Sequence, residues 1–248
     1  MRTAVLIPAW QCQDTIEAVV RDLIALFPQE AGRAAVIVVD DGSSDATAER
    51  ARAAGALVIS HGRRQGRGAS VRTGLTVAHD LELDALVVVD DNGQHPADQA
   101  RRIADYPCDA RALVLGVRDL RAIGAPRASR LSNSLSTFML SVLTGRVLTD
   151  AQCGLRRYPV RETLALDTRD HGHGFEAEVL LLAVRAGLPI VQVPVQVPRA
   201  ASPSHFSLLR DPPRIVARVL YTMGRRRPGL IRVSEAQPIA GIFGRPRA

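Results

Sequence analysis

A ten-residue stretch, Val87 to Pro96, constrains the fold of this chain more than any other. It reads V-V-V-D-D-N-G-Q-H-P, so a run of β-branched residues ends abruptly in two acids, two amides and a histidine. The apolar run from Ala85 to Val89 is typical of a strand that is buried on both faces in a parallel sheet. In open α/β sheets, ligands bind beyond the carboxyl ends of such strands. The stretch therefore predicts a parallel sheet with a binding site at this edge.

The polar residues of the same stretch predict a metal site. Asp90, Asn92 and Gln94 alternate along an extended chain, so their side chains can converge on one point. Three oxygen donors suit a hard divalent cation such as Mg²⁺ or Mn²⁺. The alternative is a strand that is followed by an ordinary polar turn. In either case we interpret His95 as a supporting or turn residue and not as a ligand.

Apolar strand patterns recur along the chain and alternate with helical patterns. Further strands are predicted at Thr3 to Ile7, Ala34 to Val39, Ala56 to Ile59, Ala112 to Val117 and Pro189 to Val195, with a short one beginning near Arg156. Helices are predicted at Asp14 to Phe27, from Ala46, at Ala69 to Asp80, from Pro96, at Arg127 to Leu143 (serines and asparagine on one side) and at Phe175 to Ala186. This order predicts an α/β domain over residues 1–198, a mostly parallel sheet flanked by helices.

Charge separates the end of the chain from the rest. Residues 199–248 contain ten arginines and two acids, a balance of +8, whereas residues 1–198 are close to neutral at −1. We predict a basic C-terminal extension over 199–248 with an amphipathic helix from Pro212 to Gly224. Such a helix can lie in a membrane interface or can pack on the domain with a solvated basic edge. The charge indicates an anionic partner, and nucleic acid is not favoured because the extension lacks interleaved aromatic residues.

Composition excludes several other classes. No apolar run reaches about 18 residues, so we expect no membrane-spanning helix. The first strand starts by Thr3, which leaves no room for a signal peptide. The three cysteines are scattered and lack metal-site spacing, and we interpret them as reduced thiols. We therefore expect a cytoplasmic protein that contacts the anionic inner face of the cell membrane.

The order of the motifs is more specific than any one of them. V-L-I-P-A-W is followed by V-I-V-V-D-D-G-S-S-D, G-R-G-A-S-V-R-T-G, V-V-V-D-D-N-G-Q-H-P, L-G-V-R, D-A-Q-C-G-L-R, F-E-A-E-V-L-L and V-P-V. This series, between Thr3 and Phe206, resembles family 2 glycosyltransferases of the Rossmann-like GT-A fold, especially dolichyl-phosphate mannose synthases and bacterial polyprenyl-phosphate sugar transferases. The resemblance implies an inverting transfer of a sugar from a GDP-mannose or UDP-glucose type of donor to a polyprenyl phosphate.

The resemblance also implies roles for single residues. The nucleotide-sugar site would comprise Pro8, Ala9, Trp10, Asp40, Asp41, Gly68, Asp90, Asp91 and Arg118. The cation would be held by Asp90, Asn92 and Gln94. The catalytic group would be Asp150, Arg118 and Glu178, and the acceptor would contact Arg156, Ser204 and Arg210. The alternatives are that Asp40, Asp41 and Asp150 are turn or capping acids, and that Glu178 is a solvated helix residue.

Two departures from the family pattern bear on activity. Asn92 stands where the family usually has aspartate, so one negative charge is missing and we expect weaker metal binding. Trp10-Gln11-Cys12 stands where the family usually has Tyr-Asn-Glu, which removes a carboxylate near the nucleotide. Asp91 does not replace either one, because alternation along an extended chain should point it away from Asp90 and Asn92.

The acceptor decides whether a general base is required. A hydroxyl acceptor needs one, and Asp150 is the candidate. A lipid phosphate is already ionised near neutral pH, since its second pKa is about 6, and the arginine-rich extension fits this acceptor better. The alternatives are transfer to a soluble or glycan hydroxyl and a degenerate nucleotide-sugar binder without turnover. A dinucleotide-binding oxidoreductase is disfavoured, because Gly66-Arg67-Gly68 lacks a third glycine at the required spacing and does not follow the first strand.

Overall fold

A computed structural model describes residues 1–27, 35–198 and Tyr221. Its strands are β1 (Thr3–Ala9), β2 (Val36–Asp40), β3 (Leu57–Ser60), β4 (Ala85–Val88), β5 (Leu113–Arg118), β6 (Arg156–Pro159) and β7 (Ile190–Val195). Its helices are α1 (Ile16–Leu26), α2 (Thr47–Ala53), α3 (Arg67–Asp80), α4 (Ala97–Ala104), α5 (Arg127–Thr144), α6 (Val160–Leu164) and α7 (Phe175–Arg185). The alternation of strands and helices predicted from the sequence is confirmed.

The strands form one mixed sheet in the order β3-β2-β1-β4-β6-β5-β7. All neighbouring pairs are parallel except those of β6, which runs antiparallel to both β4 and β5. Because β1, β2 and β4 are parallel, their carboxyl ends meet at one edge, as the predicted fold class requires. Strand β6 enters this edge from the opposite direction, and its register places Arg156 beside Val88.

The sheet is buried on both faces, and β1 shows why its residues are apolar throughout. Leu6 points into a cluster with Leu75 of α3 and Leu180 of α7. Its neighbour Val5 points into a second cluster on the other face, which α1 and α4 cover. Alternate residues of one strand thus enter two separate cores, so neither face has room for polar side chains.

Three details differ from the sequence-based boundaries. Helix α3 begins two residues earlier than predicted, because Gly66 adopts a left-handed φ of +103° and turns the chain directly into the helix. The five-residue helix α6 was not predicted, since it is too short to show a helical period. The helix predicted from Pro212 to Gly224 lies outside the described residues except for Tyr221.

Two predictions from the sequence concern membrane-spanning helices and the state of the cysteines. Among the residues that the structure describes, none of the helices combines the length and the apolarity needed to cross a bilayer. Cys12, Cys108 and Cys153 are free thiols.

Candidate active site

The carboxyl ends of β1, β2 and β4 gather several residues predicted for the nucleotide sugar. Pro8 and Ala9 are the last two residues of β1, and the register pairs Ala9 with Asp40 at the end of β2. Asp90 follows β4 by two residues. The three strand ends therefore enclose one edge of the sheet, where open α/β sheets bind their ligands.

Trp10 offers an aromatic surface at this edge. The Arg64 guanidinium lies 3.5 Å from the centre of the indole ring, a cation–π contact. The backbone N–H of Trp10 donates to Asp91 Oδ2 at 3.2 Å, so Asp91 is turned toward the end of β1. Burial, reinforced by the nearby Asp91 charge, raises the pKa of Cys12 far above its usual value. Cys12 is therefore a neutral thiol and does not replace the missing carboxylate.

Asp41 anchors the glycine- and arginine-rich loop that follows β3. Its carboxylate accepts hydrogen bonds from the backbone N–H groups of Gln65 at 2.8 Å and Gly66 at 2.7 Å. It also lies 2.9 Å from His61 Nδ1. Asp40 accepts the Ser43 N–H at 3.1 Å and so closes the preceding turn. In this structure both acids shape loops, which agrees with their alternative interpretation as turn residues and leaves nucleotide binding by them a prediction.

Arg67 connects three predicted motifs and was missed by sequence reasoning. It is the first residue of α3, and its Nη2 lies 2.8 Å from Asp90 Oδ1. Its Nε donates to Glu176 Oε1 at 2.8 Å, which ties the loop to α7. His95 Nε2 lies 3.1 Å from Asp90 Oδ2, consistent with its supporting role. The one sequence signal for Arg67 was its place between Gly66 and Gly68. The backbone N–H of Gly68 donates to the His171 carbonyl at 2.9 Å.

These contacts fix the charge of Asp90. Burial alone would raise the pKa of Asp90, but the positive charge of Arg67 and the contact with His95 outweigh burial and hold the pKa well below its usual value. For Arg67, burial is likewise outweighed by Asp90 and Glu176, which raise its pKa. The pair therefore stays fully ionised throughout the neutral range.

The residues predicted to hold a cation include a single carboxylate. Asp90 is partly exposed, and Asn92 Oδ1 accepts the Gln94 N–H at 3.1 Å. The described part of the chain contains no cluster of three His, Cys, Asp or Glu residues that could enclose a metal. Mg²⁺ is commonly held by one or two carboxylates together with substrate phosphates. The donor set therefore fits a cation whose coordination is completed by a diphosphate, and not a closed protein cage.

Gly154 is the point where the loop after α5 touches the Asp90 motif. A Cβ atom at this position would lie 2.6 Å from Asp90 Oδ1 and 3.0 Å from Arg67 Nη2. Only glycine lets the backbone approach this closely.

Arg118, the last residue of β5, forms a bidentate ion pair with Asp150. Arg118 Nε donates to Asp150 Oδ2 at 2.7 Å and Nη2 donates to Oδ1 at 3.1 Å. The backbone N–H groups of Arg118 and Gln152 also donate to this carboxylate. Burial would raise the pKa of Asp150, but the hydrogen bonds and charge of Arg118 outweigh it and lower the pKa. A carboxylate with both oxygens engaged and a lowered pKa is a weak proton acceptor.

Arg156 and Glu178 are interior residues, which departs from the expected roles. Arg156 is fully buried, and its guanidinium donates to the carbonyls of Ala151, Cys153 and Glu176. Glu178 is also fully buried, and its Oε2 accepts the N–H groups of Arg169 and Asp170. Arg156 and Glu178 thus hold the loops around the site through backbone groups. Glu178 is not the solvated helix residue of the alternative interpretation. The other predicted acceptor residues, Ser204 and Arg210, lie outside the described residues.

Curated proteins similar to this chain carry related descriptions. A dolichyl-phosphate hexose transferase of Haloferax volcanii is 31% identical over 193 residues, which cover 77% of this chain and 81% of the relative. A UDP-N-acetylglucosamine–dolichyl-phosphate N-acetylglucosaminyltransferase of Methanococcus voltae is 28% identical over 214 residues, covering 77% of this chain and 83% of the relative.

Solved structures share the fold. Glucosyl-3-phosphoglycerate synthase of Mycobacterium tuberculosis, crystallised with Mn²⁺, UDP-glucose and glycerol 3-phosphate, superposes with a TM-score of 0.69. The superposition covers 90% of this chain and 80% of that one at 22% identity, a level that establishes the GT-A fold alone. The profile described as glycosyl transferase family 2 matches residues 4–163, more than half of the chain. With its motif order, its fold and this match in agreement, the chain belongs to glycosyl transferase family 2.

Proposed function

We propose that the chain transfers a hexose, with inversion, from a nucleoside-diphosphate sugar of the GDP-mannose or UDP-glucose type to a polyprenyl phosphate. The observation that carries this proposal is the state of Asp150. Its two oxygens are engaged by Arg118, and its carboxylate is almost fully buried. The candidate base is thus occupied as an anchor for an arginine.

An acceptor that needs no base fits such a site. A hydroxyl has to lose its proton during transfer, which requires a positioned proton acceptor. A phosphate monoester is ionised above its second pKa of about 6 and attacks through an oxygen that already carries charge. The bidentate Arg118–Asp150 pair therefore favours a phosphate acceptor over a hydroxyl acceptor.

The arginines at the edge are suited to the departing diphosphate. Arg67 and Arg118 each form an ion pair with a carboxylate, Arg67 with Asp90 and Arg118 with Asp150. Guanidinium groups that are positioned before reaction stabilise developing negative charge without reorganisation. We assign them to the diphosphate, with Trp10 and Arg64 beside the base and Asp40 near the ribose.

A divalent cation, Mg²⁺ or Mn²⁺, would be held by Asp90 with Asn92 and Gln94. When bound, it would supply further neutralisation of the diphosphate as this group leaves. The M. tuberculosis enzyme of the same fold was crystallised with Mn²⁺ and UDP-glucose, which supports the choice of cation.

The names of the relatives support the lipid acceptor. Two of them are described as dolichyl-phosphate transferases. An acceptor of this kind is confined to a bilayer, so we place the protein in the cytoplasm at the inner face of the cell membrane, with the basic extension over 199–248 as one contact. A soluble acceptor is the second candidate, because the solved structure of the same fold holds glycerol 3-phosphate.

The test separates the acceptors by solubility of the product. The full chain is incubated in detergent with radiolabelled GDP-mannose or UDP-glucose, Mg²⁺ or Mn²⁺, and either a polyprenyl phosphate, the corresponding polyprenyl alcohol or glycerol 3-phosphate. We expect label in the organic phase with the phosphate and none with the alcohol. Asp150→Asn should lower the rate by weakening the hold on Arg118, whereas loss of a true base would abolish transfer.

A matched control variant makes the result decisive. Asp80→Asn alters an exposed carboxylate at the last residue of α3, the end of the helix opposite Arg67, and should transfer at the wild-type rate. Label that appears only in a water-soluble product, or equally with the alcohol and the phosphate, would contradict the proposed acceptor.

A further inference from the structure

Helix α5 turns four of its large apolar residues toward solvent. Leu131, Leu135, Phe138 and Val142 are 72%, 67%, 68% and 64% exposed, and their spacing of four, three and four places them on one face. Single exposed apolar residues are normal on protein surfaces, but a continuous stripe of four marks an interaction surface. We call these four residues the outer face of α5.

Ser136 and Thr137 of the same helix point inward, and their contacts fix this orientation. The Thr137 hydroxyl accepts the Ala151 N–H at 3.0 Å, and Gln152 Nε2 donates to the Ser136 hydroxyl at 2.9 Å. Ala151 and Gln152 lie in the loop that carries Asp150. The helix cannot roll to bury its outer face without breaking the bonds that hold this loop.

The apolar surface continues past the end of α5. A groove of about 560 Å³ adjoins Phe138 and Val142 and is also lined by Arg146, Val147 and Leu148. Val147 is 89% exposed, the highest value among the large apolar residues that the structure describes. The outer face and the groove together form one extended apolar surface beside the Asp150 loop.

The charged residues of the segment that carries this surface are all positive. Between Asp119 and Asp150 the sequence contains four arginines, at positions 121, 127, 130 and 146, and no acid. A second copy of the chain would bring the same charges against them. The extension over 199–248 has a balance of +8 and is equally unsuited as a cover. Charge complementarity therefore favours an anionic occupant.

We propose that the outer face of α5 docks on the interface of an anionic lipid bilayer. A helix with an apolar face and flanking arginines lies in the membrane plane, with its apolar side chains in the acyl boundary and its cations at the headgroups. The proposal rests on the lipid-phosphate acceptor proposed above. It adds a docking surface within the catalytic domain, on the helix whose inner side holds the Asp150 loop.

The test measures binding to vesicles that contain no polyprenyl phosphate, so it does not depend on turnover. Full-length wild type, Leu135→Ser/Phe138→Ser and the control Leu26→Ser are floated with vesicles of equal parts phosphatidylglycerol and phosphatidylcholine. Leu26 is an exposed apolar residue of α1. We expect the double variant to bind the vesicles at least about tenfold more weakly than wild type, and the control to bind like wild type.

A second measurement reports insertion directly. Phe138→Trp adds a fluorophore to a chain whose one tryptophan is Trp10. Brominated lipids should quench the new emission and leave the wild-type emission unchanged. The proposal would be overturned if the double variant binds vesicles like wild type, or if Leu26→Ser loses as much binding as the double variant. It would also be overturned if wild type is a dimer that the double variant converts to a monomer while vesicle binding persists. Failure of the transfer assay in detergent, in contrast, would overturn the proposed function and leave these results standing.

Discussion

The two halves of the site, named after the roles proposed above, differ in what holds their loops. In the donor half, at the ends of β1, β2 and β4, carboxylates hold backbone N–H groups, as Asp41 does for the loop that carries Arg64 and Arg67. In the acceptor half, formed by residues 148–156 and 167–178, Asp150 and Glu178 also hold backbone N–H groups, and the buried Arg156 additionally holds backbone carbonyls. The difference teaches that an arginine is part of the scaffold in the acceptor half, whereas we propose that the arginines of the donor half face the donor.

The largest expected effect is on catalysis in the donor half. Asp90→Ala removes the one carboxylate of the proposed cation site and leaves Arg67 without its partner at 2.8 Å. We expect transfer to fall by about 10³-fold, the size of effect seen when a preorganised electrostatic group is removed from a reaction centre. Initial rates of sugar transfer measure this, with Asp80→Asn as the matched control. A variant that retains most of its rate would remove Asp90 from the centre of the site.

The next effect separates the two kinds of arginine. Arg156→Met leaves three backbone carbonyls, two of them buried, without this donor, so we expect the free energy of unfolding to fall by about 3 kcal/mol or more. Arg64→Met removes an exposed cation over Trp10 and should cost less than about 1 kcal/mol. Urea unfolding followed by circular dichroism compares the two variants. Equal destabilisation would erase the contrast between the halves.

The pH dependence tests whether the acceptor half contains a base. The pKa values of Asp90 and Asp150 are lowered, so both stay ionised above the ordinary carboxyl range, and their stabilisation is lost only as pH falls toward the lowered values. A lipid phosphate with a second pKa of about 6 loses its second charge as pH falls, so the rate should drop about tenfold from pH 7 to pH 5. A rate profile that rises through a pKa above 7 would instead indicate a base on the enzyme.

The smallest effect concerns the departure at Asn92. Asn92→Asp restores a second carboxylate in the donor half, and a higher ligand charge should tighten Mn²⁺ binding a few-fold. Calorimetric titration with Mn²⁺ in the presence of the nucleoside diphosphate measures the change, and Arg102→Gln, at an exposed residue of α4, controls for the same change in net charge. An unaltered affinity would show that position 92 does not contact the cation.

Local signals predicted the edge of the sheet at which the site residues gather. Buried strands that end in acids predicted this edge, because apolar runs and the turn residues after them are adjacent in sequence. The Arg67–Glu176 bond joins residues 109 positions apart, and no local pattern predicts it. Arg156 was expected to contact the acceptor, and its burial was not predicted because it depends on carbonyls that only the folded loop brings together.

Helix α5 shows a further reason why prediction stops short. The sequence predicts a helix with serines and an asparagine on one side, and the structure confirms the helix. Periodicity does not say which face is turned inward. Here the contacts of Ser136 and Thr137 with the Asp150 loop decide it, and they exist only once the acceptor half has folded.

The Arg67–Asp90 pair also gives the site its own counterion. A carboxylate that is largely withdrawn from water is costly to keep ionised without a compensating charge. In this chain the compensation is built into the first turn of α3. The carboxylate proposed to hold the cation is therefore ionised and positioned before any donor binds.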